Sequence, residues 1–338
     1  LENLSGVLKD EDILPNIKDA YTKEDGSIYT MPVKFGIPMI EGNKDIIAGI
    51  TDLTTEADAA ESQKDSYGKL KFFSSFSISP SGMIQGTIDN STPAWMNEDG
   101  TLKEDALKEY LEQKDAIEET KKAYQMGDDW ANSDRSGYTN IAGSITDLLV
   151  KVNTVAAGGL LSPEGLVYLD SAKKVDPDLD YRLLNGQSEN CFYPRSIVGI
   201  SAKASEKEAA EKFVKFLFEE ESQRASNDEG LAVNSKVYED MAYWKMGKSS
   251  GDTIGSIGTS YDTGDGNIKQ FVMDEIIPED EAIQNIMDLG KTLTVPAKSN
   301  QIIRSAVTES GEKYLNGETG LDDAVKEIMQ EVNLYLSE

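Results

Sequence analysis

Val33-Lys34-Phe35-Gly36-Ile37-Pro38-Met39-Ile40 is the stretch that decides the fold of this chain. It is apolar and β-prone, yet Gly36 and Pro38 interrupt it, a combination that suits a strand passing between two lobes. Just before it, Asp25-Gly26 is a turn dipeptide leading into the alternating Ile28, Tyr29, Thr30 and Met31, so a turn and then a strand are expected. Strand-like and helix-like segments alternate along the rest of the chain, with no fixed-period repeat and no low-complexity block, which predicts an α/β architecture.

Working outward, residues 41–75 read as mixed and helical in part, while 74–97, 127–144 and 247–268 read as polar loops. Leu102, Ala106, Leu107, Tyr110, Leu111 and Ile117 recur at helical spacing and predict an amphipathic helix ending near Gly127. Ser205 and Glu208 have the spacing of a capping box, and Ala209, Phe213, Phe216 and Leu217 behind them share a face, predicting a helix to about Gln223. Further helices are expected at 279–290, 301–315 and 320–336, the last marked by the apolar stripe Leu321, Ala324, Val325, Ile328, Met329, Val332 and Leu336.

A chain of 338 residues exceeds what one hydrophobic core usually serves, so two lobes are expected. The 33 Lys and Arg against 61 Asp and Glu give a formal charge of −28, which repels nucleic-acid phosphates and anionic headgroups. No nucleic-acid partner is expected. The acidic residues are dispersed and 38% of the chain is hydrophobic, so they read as a solvated coat on a folded protein. With Cys191 as the only cysteine there is no intrachain disulfide and no thiolate cluster for a metal. The absence of histidine removes Ser-His-Asp and Cys-His nucleophile systems, imidazole acid–base chemistry and His-containing metal sites.

No phosphate-binding glycine loop, dinucleotide fingerprint or nucleophile elbow is present. Gly264-Asp265-Gly266 and the segment 97–101 lack the ligand spacing of a calcium loop, so neither metal nor cofactor is expected. Paired acids such as Asp128 and Asp129 suit glycoside hydrolysis only at a set separation, which sequence does not encode. What remains is a set of aromatics in polar loops: Tyr29, Trp95, Trp130, Tyr138, Phe192, Tyr193 and Trp244. Such rings stack on the C–H faces of sugars while Asn, Asp and Arg bond the hydroxyls, although any one of them serves equally well as a packing residue.

Three ordered segments resemble the extracellular solute-binding proteins of carbohydrate ABC transporters, the broad family that includes maltose-binding protein. Asp25-Gly26-Ser27-Ile28-Tyr29-Thr30-Met31-Pro32 is similar to the family's turn and strand leading toward the hinge. Val198-Gly199-Ile200-Ser201-Ala202-Lys203-Ala204-Ser205, with Glu208-Ala209-Ala210, Phe213-Val214-Lys215-Phe216-Leu217, Glu221-Ser222-Gln223 and Gly230-Leu231-Ala232-Val233-Asn234, resembles its hinge strand and following helix. Tyr314-Leu315-Asn316-Gly317, then Leu321-Asp322-Asp323-Ala324-Val325 and Tyr335-Leu336-Ser337-Glu338, resembles its closing helix.

The resemblance implies a two-lobed, type II periplasmic-binding-protein-like α/β fold with a hinge between the lobes. It also implies that the first part of the N-terminal lobe, on the order of a hundred residues by typical lobe size, is missing. The expected division is 1–42 N-terminal lobe, 43–195 C-terminal lobe, 196–292 return to the N-terminal lobe and 293–338 C-terminal helices packing on the C-terminal lobe, with hinge strands near 33–40 and 196–201. The implied function is non-enzymatic capture of an extracellular solute, foremost a mono- or oligosaccharide, and delivery to ABC permease subunits. The same fold binding a peptide, amino acid or organic anion is the alternative, and a carbohydrate-active enzyme a remote one. The implied location is extracellular, on a Gram-positive cell surface through a lipid anchor in the missing N-terminus, or periplasmic. Trp130 and Tyr193 are the expected stacking platforms and Arg195, Asp129 and Asn132 the hydroxyl partners, with Trp95, Tyr138 and Phe192 as second choices.

Overall fold

Pro15, whose ring pre-sets a helical φ, opens the first helix, α1 (Pro15–Tyr21). Past it, Asp25 accepts hydrogen bonds from the Ser27 backbone N–H at 2.9 Å and the Ser27 hydroxyl at 2.6 Å, and Gly26 takes φ +79°. This side-chain-closed turn sends the chain into β1 (Met31–Asn43). The computed structural model describes residues 1–49, 80–97, 101–123, 145–150, 155–225, 230–262, 267–298 and 300–336. After β1 come α2 (Pro80–Trp95), α3 (Glu104–Ala123), β2 (Val155–Leu160), α4 (Pro163–Val175), β3 (Leu179–Leu183), β4 (Cys191–Val198) and α5 (Lys207–Phe218). Then follow β5 (Leu231–Ala232), β6 (Thr253–Asp262), β7 (Ile268–Ile276), α6 (Asp280–Lys291), β8 (Val295–Pro296), α7 (Gln301–Leu315) and α8 (Leu321–Leu336).

β1 organises the main sheet. Its first half pairs antiparallel with β4, from Met31↔Val198 to Gly36↔Tyr193, and with β5 at Lys34↔Ala232. Its second half pairs antiparallel with β2, from Ile37↔Leu160 to Gly42↔Val155, and with β3, from Met39↔Leu183 to Asn43↔Leu179. Pro38 is tolerated in so central a strand because it falls in the seam between the β4 and β3 ladders, where Leu184 N–H bonds the Pro38 carbonyl at 3.1 Å and no donor is required of residue 38. β8 then adds parallel to β4 at Cys191↔Val295.

Two large cores lie on this strand, and it passes from one to the other between Met39 and Ile40. The first gathers Met31, Phe35, Ile37 and Met39 of β1 with Phe192, Tyr238, Trp244 and the buried face of α6. Its aromatics interlock edge-on, Phe35 against Phe192 at 6.3 Å and Tyr238 against Trp244 at 5.5 Å, and the Trp244 indole N–H is satisfied by the Tyr238 carbonyl at 2.6 Å. Leu160, Leu166 and Leu169, in the span expected for the C-terminal lobe, pack with this first core. The second core joins Ile40 to Ile88 and Trp95 of α2, Leu107, Tyr110 and Leu111 of α3, and the apolar stripes of α7 and α8.

A buried polar hub fastens the first core. The Gln223 side chain donates to the Val33 and Leu217 carbonyls at 2.9 and 2.8 Å and accepts from Val233 and Asn234 N–H at 2.8 and 3.2 Å. Beside it, the buried Lys34 ammonium donates to the Gln223 carbonyl at 2.6 Å. At Gly230 the chain crosses β1 so closely that an added Cβ would stand 2.7 Å from that of Lys34, which no side chain permits.

Three local expectations are corrected. Residues 80–95, read as loop, form the helix α2, whose Ile88 and Trp95 enter the second core while the buried Ser91 hydroxyl accepts from the Gln187 N–H at 3.1 Å. Residues 253–262, read as loop for their Gly and Ser, pair with β7 in a hairpin. The sequence hides this strand because its burial is supplied from outside, by α4 against Met273, Ile257 and Phe271. The capping box does not form: α5 starts at Lys207 with Glu206 as N-cap and no side-chain cap bond, and it ends at Phe218, where an extended Glu219 starts the separate turn 220–224 that buries Gln223. On α5 it is Val214 and Phe218 that are buried, whereas Phe213 and Phe216 are exposed.

Candidate functional site

A cavity of about 920 Å³ opens between the two cores. From the first side come Ala20, Tyr21, Thr22 and Lys23 at the end of α1, with Thr30 at the entrance to β1. From the second come Asp89, Asn90, Thr92 and Met96 along α2 and the start of α7, with Asn300, Ile303 and Arg304. β4 contributes Tyr193, Pro194, Arg195 and Ile197, and the strand β8 and its exit contribute Pro296, Ala297 and Lys298. A volume of this size is in the range of small-molecule sites.

Tyr193 packs beside two glycines. Its ring edge lies 3.3 Å from where Gly159 would carry a Cβ, a tight approach, and its own Cβ is in ordinary contact range, 3.6 Å, of that point at Gly36. Burial pushes the phenol above its ordinary range, and hydrogen bonding with Asn90 opposes that rise, so the hydroxyl stays neutral. Tyr21, half-buried against Phe192 with centroids 6.5 Å apart, adds a second phenol, which burial raises to about 12. Both line the cavity.

The polar wall is braced from behind. Arg304 on α7 bonds Asp89 on α2 at 2.6 Å, and the Lys298 N–H bonds the Asp89 carbonyl at 3.0 Å. Asn300 caps α7, its side-chain oxygen accepting from Ile302 and Ile303 N–H at 2.9 and 3.2 Å. Asn90 donates to the Leu184 carbonyl at 3.2 Å, while its own side-chain oxygen is buried without a partner among the described residues. Asp89, the carboxylate of the described lining, is held in an ion pair with Arg304.

A family model for the bacterial extracellular solute-binding proteins matches residues 1–224. The chain belongs to that family. Comparison with curated protein sequences finds no match. Its fold is that of two-lobed solute-binding proteins of known structure. The cyclic alpha-maltosyl-1,6-maltose binding protein of Arthrobacter globiformis aligns over 99% of this chain and 80% of its own, at 15% identity and a TM-score of 0.52. A Streptococcus pneumoniae solute-binding protein in complex with the blood group A-trisaccharide aligns over 100% and 79%, at 17% identity and 0.52. The GacH receptor of Streptomyces glaucescens, solved unliganded and with acarbose, aligns over 100% and 79%, at 14% identity and 0.51. At these identities the likeness is one of fold.

In this solute-binding protein, two of the eight expected site residues, Tyr193 and Arg195, line the cavity together. Trp95 does not: it is 0% exposed in the second core, stacked edge-on to Tyr110 at 4.8 Å, with its indole N–H on the Gln187 side-chain oxygen. Phe192 is likewise 0% exposed, since on a strand the residue beside a cavity-facing Tyr193 points to the opposite face and here enters the first core. Asp129, Trp130, Asn132 and Tyr138 lie outside the described residues, while Trp244 is a core residue and Tyr29 lies beneath the Lys23 ammonium at 4.9 Å. Sequence reasoning missed Tyr21, Asn90, Thr92, Lys298, Asn300 and Arg304. Only Asn300, a helix-capping residue ahead of an apolar stripe, carries a local signal.

No helix among the described residues is long and apolar enough to cross a membrane, and no group of three or more potential metal ligands occurs among them. Cys191 is buried, with its sulfur 3.6 Å from the Asn90 and Ser188 carbonyls, and burial pushes its thiol up to about 12.

Proposed function

We propose that this solute-binding protein captures a mono- or oligosaccharide between its two cores and hands it to the permease of an ABC transporter. The observation that carries this reading is the cavity itself: two tyrosine faces beside the amides and hydroxyls of Asn90, Thr92, Thr22, Thr30 and Asn300. Ring faces take up the apolar C–H surface of a sugar and the polar groups take up its hydroxyls. The carbohydrates named for the structural relatives support the same class.

The protein performs no bond chemistry. Its work is a shift between open and closed arrangements about the crossing strands β1 and β4, in which the solute stabilises the closed form that a permease docks. Asp129, Trp130, Asn132 and Tyr138 are our candidates for further contacts, and attachment outside the cell membrane, by a lipid anchor or in a periplasm, fits the family's extracellular role.

Calorimetry with a panel of mono- and oligosaccharides tests the reading. Micromolar or tighter binding of one sugar class is expected, lost when Trp130→Ala is combined with Tyr193→Ala. A panel that yields no heat, or co-purified peptide or amino acid identified by mass spectrometry, would overturn the carbohydrate assignment. Release of reducing ends from a bound oligosaccharide would overturn the assignment as a pure binder.

A further inference from the structure

The charge of the described lining runs against that of the molecule. Acidic residues outnumber basic ones 61 to 33 along the chain, yet the described lining holds four cations, Lys23, Arg195, Lys298 and Arg304, and one carboxylate, Asp89. Asp89 and Arg304 form an ion pair at 2.6 Å and offset each other, so Asp89 does little to cancel Lys23 and Lys298. Lys298 forms no ion pair among the described residues. Lys23 rests over the Tyr29 ring, with Asp25 nearby but turned to its own hydrogen bonds with Ser27.

These cations stand on both sides of the cavity. Lys23 belongs to the first-core wall and Lys298 to the second. Closing two walls of like charge on an empty or neutral cavity brings positive charges together, whereas an anion between them turns repulsion into attraction. The N-terminal end of the 15-residue α7, whose Asn300, Ile303 and Arg304 reach the lining, adds its positive dipole on the same side. A cavity of about 920 Å³ with two tyrosine faces is out of proportion to an inorganic anion.

We propose that the solute of this cleft is an anionic carbohydrate, a sugar whose carboxylate, sulfate or phosphate is held between Lys23 on one wall and Lys298 on the other. This rests on the reading of the cleft as a carbohydrate site and narrows it. It also supplies a reason for the acidic coat. A strongly negative surface repels stray anions from everywhere except a basic cleft, so the electrostatic signal for an acidic sugar is confined to the productive site.

The test is calorimetry on the whole chain with matched pairs: galacturonic acid against galactose, digalacturonate against digalactose, glucose 6-phosphate and glucose 6-sulfate against glucose, with citrate and inorganic phosphate as anions lacking a sugar. At least one acidic member should bind about tenfold or more tighter than its neutral partner. That preference should shrink in 0.5 M salt, and it should fall by about tenfold in Lys298→Gln but not in the surface control Lys248→Gln. Which anion wins distinguishes carboxylate from sulfate or phosphate. Neutral sugars that bind as well as their acidic partners overturn the anionic class and leave carbohydrate capture standing. Citrate or phosphate binding with no sugar bound overturns both, as does a panel that gives no binding at all.

Discussion

Glu41 shows how one side chain in the crossing strand links stability to pH. It lies on β1 where the strand has just left the first core, opposite Ala156 on one side and Tyr181 on the other, and burial lifts its carboxyl to about 7. The ordinary value is 4.5, so between these two pH values the folded chain holds a proton that the unfolded chain has lost. Stability is then unpenalised below about pH 4.5 and declines as pH rises through about 7, by at most about 3 kcal/mol. Glu41→Gln should therefore leave the denaturation midpoint near that of the wild type at pH 4.5 and raise it at pH 8. A pH-independent difference between the two proteins would show that the carboxyl is not desolvated in solution.

At the scale of elements, Gln223 ties three pieces of backbone that share no ladder at that point: β1 at Val33, the end of α5 at Leu217 and the strand β5 with its exit at Val233 and Asn234. Gln223→Leu keeps most of the volume but strands two carbonyls and two N–H groups in a dry site. A loss of about 3 kcal/mol or more is expected in urea melts, because each orphaned group costs on the order of 1–3 kcal/mol. A loss below about 1 kcal/mol would mean that water reaches the hub. The same hub explains why the element read from sequence as one helix to Gln223 is two. Periodicity registers Phe213 and Phe216 as a packed face, but the pull of Gln223 into the first core breaks the chain at Glu219 and leaves both rings exposed. Helices with a sustained apolar stripe and an N-terminal signal, at 280–291, 301–315 and 321–336, are legible from sequence nearly to the residue. The helix α2 and the hairpin β6–β7 are not, because what holds them is a distant partner, α7 and α4 respectively. The cavity follows the same logic. Tyr193 and Arg195 lie just ahead of the family-like segment that starts at Val198, whereas Tyr21, Asn90 and Arg304 are ordinary helix residues until three distant segments are folded together.

At the scale of the whole molecule, the cavity is where a solute would join the two cores by something other than the shared sheet. Its walls draw on α1 from the first side and on α2 and α7 from the second, and Met39 and Ile40 are adjacent residues in different cores. A ligand that contacts both walls must stabilise both, since unfolding either destroys the site. At a free concentration 100 times its dissociation constant the expected gain is about 2.7 kcal/mol. Hydrogen exchange locates that gain: amides of α1 and β4 on one side and of α2 and the first turns of α7 on the other should all slow together when sugar is added. The distances between the walls should shrink as well, seen as a smaller radius of gyration in solution scattering, because closure and binding are the same equilibrium. Protection confined to one core, with an unchanged radius of gyration, would place the solute on a single lobe and remove the basis for capture between two.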